Sequence, residues 1–276
     1  MRWRIKKSLL YWIFLLPVVI LNLFPFAVMI FTALKPRDEL FVFPPVWFPT
    51  RLAWENFPTM WVETHFGRAL VNSLVVSLTS TLLTILIGIP AAYALSRLSF
   101  RGKGTYRQYL LVTQMIAPMV LVVGLFRLLV QLHLVDSLVP LITTYAAFNL
   151  AFTTMMLQSY FDTIAHDLEE AAWLDGASRA QSLFRIFLPL AVPAMTITAL
   201  FTFVNAWNEF VLALTLLRTQ DNYTLPLQVF AQVAGRYQVD WHHVMAASFL
   251  ATVPVAVVFA FLQRFLIRGM STGAVK

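Results

Sequence analysis

An all-α integral membrane protein with six transmembrane helices and both termini in the cytosol is the fold class this sequence predicts. Three observations carry that expectation: six long apolar runs, a composition 59% hydrophobic and only 12% charged with a mean hydropathy of +0.74, and basic residues gathered without acidic partners before the first run and between the second and third. About 20 apolar residues at about 1.5 Å rise cross a hydrocarbon core about 30 Å thick. The runs that reach this length are 9–34, 69–98, 109–132, 138–161, 190–217 and 244–266.

The first run follows Arg2, Arg4, Lys6 and Lys7. It is too long for a secretory signal and no small-residue cleavage site follows it. The chain continues into FVFPPVWFPT, where Pro44, Pro45 and Pro49 exclude regular helix and Trp47 and Phe48 suit headgroup level. Residues 1–68 therefore form a first division, a helix plus an external, membrane-hugging segment. After the second run, Arg97, Arg101, Lys103 and Arg107 fill a connection with no acidic residue. The external segments carry mixed charge instead, with Lys35, Arg37, Asp38, Glu39, Arg51, Glu55 and Glu63 in one and Arg218, Asp221, Arg236 and Asp240 in another. The positive-inside bias then gives N-in, C-in, and it places the connection 162–189, between the fourth and fifth runs, in the cytosol. Residues 69–267 form the main membrane domain and 268–276 a short cytoplasmic tail.

Several functions are excluded. The net charge of +7 and the isoelectric point near 9.9 do not indicate nucleic acid, because the bases sit at membrane flanks rather than on one soluble face. Cysteine is absent, which removes disulfides, thiolate metal sites and cysteine nucleophiles. Of the histidines, His242 and His243 are adjacent and point apart on a helix, while His65, His133 and His166 are isolated, so no metal site is expected. A phosphate-cradling loop of the form G-x4-G-K-[ST] is missing; Gly102-Lys103-Gly104-Thr105 lacks the upstream glycine and reads as a solvated turn. The chain is expected to have no enzyme site and no cofactor of its own.

Polar groups inside apolar runs are costly in lipid and mark an interior or a water-filled path. The densest group is Asn205-Ala206-Trp207-Asn208-Glu209-Phe210 in the fifth run. Amides, a carboxylate and an indole face suit sugar hydroxyls and sugar rings. The competing reading has Glu209 closing a contact with another helix or reaching external water. Asn205, Trp207, Asn208 and Glu209, with Arg127 in the third run, are the pathway candidates, although Arg127 also suits snorkelling or structural pairing. Asn72, Gln114 and Asn149 are weaker ones.

The connection 162–189 is amphipathic and charged. Ala171 and Ala172 share a helical face with Leu168, Gly176 suits a positive φ that ends a short helix, and Ser178 with Gln181 has capping-box spacing for a second helix running through Leu183, Phe184 and Phe187 toward Pro189. Helix, elbow, helix is the expected shape, and an ordinary cytosolic hairpin shares it. The stretch EEAAWLDGASRAQSLFRIFLPLAVP, however, resembles the EAA motif of the membrane-spanning permease subunits of bacterial ABC importers. WNEF at 207–210, FGRALVNS at 66–73 and the ending GMSTGAVK are similar to the carbohydrate branch, the maltose-permease small-subunit type.

The resemblance implies an EAA coupling helix and a bacterial inner-membrane location. It implies a second, homologous permease subunit, two ATPase subunits that bind ATP and Mg, and an external sugar-binding protein above, reached by the segment 218–243. Glu169, Glu170 and Asp175 would pair with basic groups of the ATPase cleft, Ala171, Ala172, Trp173 and Leu174 would supply apolar contact, and Gly176 would set the elbow. Where relatives often have proline before this helix, the chain has Ala165 and then His166. Two other classes stay open: an ion- or proton-coupled secondary transporter, which usually shows internal repeats that are not evident here, and a purely structural membrane subunit, which would leave the elbow unexplained.

Overall fold

Long apolar runs bury their backbone polar groups most cheaply as helices, and every regular element among the described residues of the computed structural model is helical. Residues 2–273 are described, with side chains over 12–263. The side chains of Arg2, Arg4, Lys6 and Lys7, and those of 269–276, lie outside the described residues. The chain divides into two units.

The first unit holds α1 (Arg2–Ala33), α2 (Asn56–Glu63) and the beginning of α12 (Trp241–Gly273). Side chains 12–26 of α1 are exposed although all but Asn22 are apolar, as a lipid-facing helix requires, and Asn22 Nδ2 donates to the carbonyl of Val18 at 2.7 Å. Its end is held by Asn56, whose Nδ2 donates to the carbonyls of Ala33 at 2.8 Å and Lys35 at 2.9 Å. The intervening segment is irregular through Pro44, Pro45 and Pro49, and Trp47 and Phe48 are exposed, as expected.

The second unit contains α3 (Phe66–Arg97) beyond its first turn, α4 (Lys103–Met115), α5 (Pro118–Gln131), α6 (Leu138–Phe161), α7 (His166–Leu174), α8 (Arg179–Ser182), α9 (Leu188–Asn208) and α10 (Val211–Leu216). It also takes the start of α11 (Leu225–Ala231). A single π-helical turn, Leu183–Phe187, joins α8 to α9. Helices α3 and α6 approach closely: buried Ser77 and Thr84 return their hydroxyls to carbonyls four residues back, and a Cβ at Gly88 would stand 2.8 Å from Thr153 Cγ2. Thr153 in turn meets Thr202 of α9, hydroxyl to hydroxyl, at 3.2 Å. One apolar cluster surrounds Tyr93, Phe161 and Phe187, and a second surrounds Leu141, Tyr145 and Leu212.

Among the described residues, five helical stretches are each long and apolar enough to cross a bilayer: Trp12–Ala33, Phe66–Arg97, Leu138–Phe161, Arg179–Asn208 and Trp241–Gln263. The expected third run is not one straight helix. It breaks into α4 and α5, bent by 94°, because Pro118 has no amide hydrogen to donate and pushes Ala117 out of the helical region, to ψ 129°. The expected fifth run differs at both ends. It begins at Arg179, carried through the π turn from the elbow at Gly176, and it ends at Asn208, where Glu209 is extended before α10 restarts the chain.

Candidate functional site

The segment from α7 to α9 has the helix, elbow, helix shape that its spacing predicts. The last turn of α7 closes with Asp175 N–H donating to Ala171 O at 3.0 Å, Gly176 N–H to Trp173 O at 3.0 Å and Ala177 N–H to Ala172 O at 2.9 Å. Gly176 takes φ +82°, the left-handed region open to glycine, with nothing within 4 Å of where a Cβ would stand. Ser178 and Gln181 then form a reciprocal capping box, with Gln181 N–H donating to Ser178 Oγ and Ser178 N–H to Gln181 Oε1.

The side chains of α7 split into two groups. Glu170, Ala171, Trp173, Leu174, Asp175 and Gly176 are exposed, Leu174 at 90%, while Ala172 is half-buried. The Arg179 guanidinium lies 5.9 Å from the centre of the Trp173 ring. Glu169 turns the other way. Its carboxylate accepts from Tyr93 Oη and stands 3.6 Å from Arg97 Nε, with the Arg97 and Glu169 side chains only 1% and 3% exposed. The sequence reading gave Glu169 to a partner's basic groups; in the folded chain it is paired internally, because a basic residue at the end of α3 reaches it first. Sequence reasoning counted Arg97 only as a topology charge and passed over Tyr93, though their four-residue spacing puts both on one face of α3.

Midway along α6 a cavity of about 350 Å³ opens between the α4–α5 bend, α6 and the end of α9. Its polar lining is Thr113, Gln114, Tyr145, Asn149, Asn205 and Glu209. Asn205 Nδ2 donates to Asn149 Oδ1 at 3.2 Å, and Asn149 Nδ2 donates to the carbonyl of Tyr145 at 2.9 Å. Two broken helices thus line the cavity, the arrangement in which irregular backbone at membrane depth is tolerated.

The pathway candidates separate here. Asn205 and Glu209 reach the cavity; Trp207, Asn208 and Arg127 do not line it. Trp207 is 4% exposed and stacks on Phe203, ring centres 5.6 Å apart, so its indole packs the helix interior. Glu209 is largely consumed by the chain: its carboxylate accepts from Tyr145 Oη and from the backbone amides of Leu212 at 2.8 Å and Ala213 at 3.3 Å, capping α10. Gln114 and Asn149, the weaker candidates, join the lining, whereas Asn72 clips backbone carbonyls of Asp221 and Tyr223.

A clasp on the same unit was not anticipated. Asp136, at φ +62°, accepts from the amides of Arg218 at 2.8 Å and Thr219 at 3.1 Å and from Thr219 Oγ1 at 2.8 Å. Burial alone would raise this carboxyl, but the donated hydrogen bonds outweigh it and hold the group below its ordinary range.

The sequence model of the family described as the inner membrane component of binding-protein-dependent transport systems matches residues 84–272. The chain belongs to this family. It is thus a multi-pass inner-membrane permease subunit of an ABC importer, a class in which separate ATPase subunits hydrolyse ATP. That membership favours the importer over a secondary transporter. The permease is 34% identical over 255 residues to the diacetylchitobiose uptake system permease protein DasC of Streptomyces coelicolor, covering 92% of this chain and 91% of that protein. It is 33% identical over 282 residues to the trehalose/maltose transport system permease protein MalG of Thermococcus litoralis, covering 100% and 99%. Among solved structures, a chain of a bacterial ABC transporter that imports the polysaccharide alginate shares the fold with a TM-score of 0.80, at 22% identity over 96% of this chain and 98% of that one.

Proposed function

We propose that this permease forms one half of the translocation pathway for a sugar or related polyol and couples to ATPase subunits through α7. The observation that carries the reading is the split of α7, with Glu169 locked inward while Trp173 and Leu174 are presented outward beside a fixed elbow. A nine-residue helix with an exposed apolar tip suits a docking cleft on another protein.

Sidedness has independent support. The contact of Arg97 with Glu169 puts the EAA segment at the same end of α3 as the basic connection, and the positive-inside bias assigns that end to the cytosol. With the bent pair α4–α5 taken as one span, six spans and cytosolic termini follow, within the divisions 1–68, 69–267 and 268–276. The complex then holds a second permease, two ATPase subunits carrying ATP and Mg, and a sugar-binding protein outside. Glu170, Ala171, Ala172, Trp173, Leu174, Asp175 and Gly176 form the docking and elbow surface, and Asn205, with Asn149 and Gln114, offers amides to sugar hydroxyls. The uptake systems named for the relatives, for diacetylchitobiose and for trehalose and maltose, support a carbohydrate.

Purification in mild detergent from the native membrane tests this. An ATPase, a second permease and a sugar-binding protein are expected to stay bound; recovery of a lone, ATP-indifferent chain would overturn it.

A further inference from the structure

Helix α7 has one fully buried side chain, and it is a carboxylate, Glu169. A helix usually seats itself through an apolar stripe. Here the seat is ionic. Arg97 supplies it with four contacts from one guanidinium: Nε faces Glu169, Nη2 donates to the carbonyls of Phe161 at 2.8 Å and of Ile164, and the central carbon Cζ lies 4.8 Å from the centre of the Phe187 ring. Tyr93 takes the other oxygen of Glu169 and meets Phe187 edge to face, ring centres 5.2 Å apart. One side chain of α3 therefore touches the end of α6, the connection that follows it, α7 and the π turn.

Connectivity between α7 and α9 is soft by comparison. Two points of give lie on that route, the left-handed Gly176 and the π turn Leu183–Phe187, with only six residues, 177–182, between them. A π turn inside a helix is a recognised place of local adjustment. A push on α7 would be absorbed there unless a second route carried it. Separating a desolvated ion pair is expensive, and the two carbonyls bound by Nη2 hold the guanidinium in place while its Nε faces Glu169 at 3.6 Å.

We propose that Arg97 is the positioning residue of the coupling segment, locking α7, the π turn and the cytosolic end of α3 into one body, so that displacement of α7 reaches α3 and α9 directly. The coupling role of α7 in this statement rests on the proposed function.

The absence of native cysteine allows two spin labels to be placed cleanly, at Asp167→Cys on α7 and Leu86→Cys on α3, both exposed. The importer is assembled in nanodiscs and the distance between labels is read by pulsed electron resonance. Without nucleotide, the parent protein should give one narrow distribution. Arg97→Ala and the near-isosteric Glu169→Gln should each widen it at least twofold, the double variant no further than either single one, and Arg97→Lys should recover part of the narrowing. With ATP, Mg and vanadate, the parent distance should stay fixed while both single variants shift. Parent-like widths in Arg97→Ala and Glu169→Gln, or Arg97→Lys as broad as the alanine variant, would overturn the proposal. Should Arg97→Ala fail to assemble, Glu169→Gln carries the same test. Failure of the importer reading would appear separately, as nanodiscs without a bound ATPase subunit, while the nucleotide-free widths still decide whether the clamp exists.

Discussion

Glu169 and Glu209 stand in the two regions proposed to meet other molecules, and both are used by the chain itself. At the α7 elbow, Glu169 is almost fully buried against Arg97 and Tyr93, and the groups left outside are the uncharged Trp173 and Leu174 with Glu170 and Asp175 at the margins. At the cavity, Glu209 remains half-exposed, yet its oxygens serve Tyr145 and two amides of α10, and the groups left to the cavity include the amides of Asn205, Asn149 and Gln114. The difference is in what each carboxylate holds. Glu169 fixes a whole short helix against a neighbouring span, whereas Glu209 restarts a broken one. In both places a carboxylate sets position and uncharged groups are left exposed beside it.

The elbow is where that division is most easily broken. Gly176→Pro forces φ to about −65° at a residue that needs +82° and should reduce uptake at least tenfold, with membrane insertion intact because the lesion is outside the spans. Gly176→Ala meets no neighbouring atom and should cost only about 1 kcal/mol of backbone strain. Uptake and ATPase stimulation measured on both variants would separate elbow geometry from mere side-chain size; equal, mild losses would contradict the assignment.

A smaller effect is expected at Glu209. Glu209→Ala leaves the Tyr145 hydroxyl and the first amides of α10 without their acceptor, and about 1–3 kcal/mol of stability should be lost. A lower thermal midpoint in detergent, with substrate affinity reduced only in proportion to the folded fraction, would support the capping role. A selective rise in KM at unchanged midpoint would instead make Glu209 a direct ligand.

The mildest and most specific change is at Asn205. Asn205→Leu removes an amide from the cavity wall and should raise the KM for sugar uptake several-fold while binding-protein-stimulated ATPase persists. Trp207→Phe provides the internal comparison, since its buried indole should affect stability rather than KM.

Much of this was legible in the sequence for physical reasons. Run length and hydropathy are properties of the chain itself, and α6 falls on its expected bounds, Leu138–Phe161. The elbow was legible because a left-handed glycine and a capping box are local devices with fixed spacing. The bend at Pro118 was available from proline chemistry but hidden inside a run apolar enough to look continuous. The inward turn of Glu169 and the burial of Trp207 depend on which face of a helix meets which neighbour. Nothing local to Glu169 points to Arg97, which lies 72 positions earlier in the chain. The Asp136 clasp was invisible for the same reason, since its partners Arg218 and Thr219 are 82 and 83 residues away.

The central claim is that the exposed tip of α7 meets an ATPase subunit in the cytosol, and one cysteine tests it. In a Leu174→Cys permease, whose natural sequence has no cysteine, a membrane-impermeant maleimide should label the free chain only from the cytosolic side. In the assembled importer the same residue should be shielded and should crosslink to the ATPase subunit through a short bifunctional reagent. Labelling from the external side, or unchanged labelling with no crosslink in the assembled complex, would contradict the account.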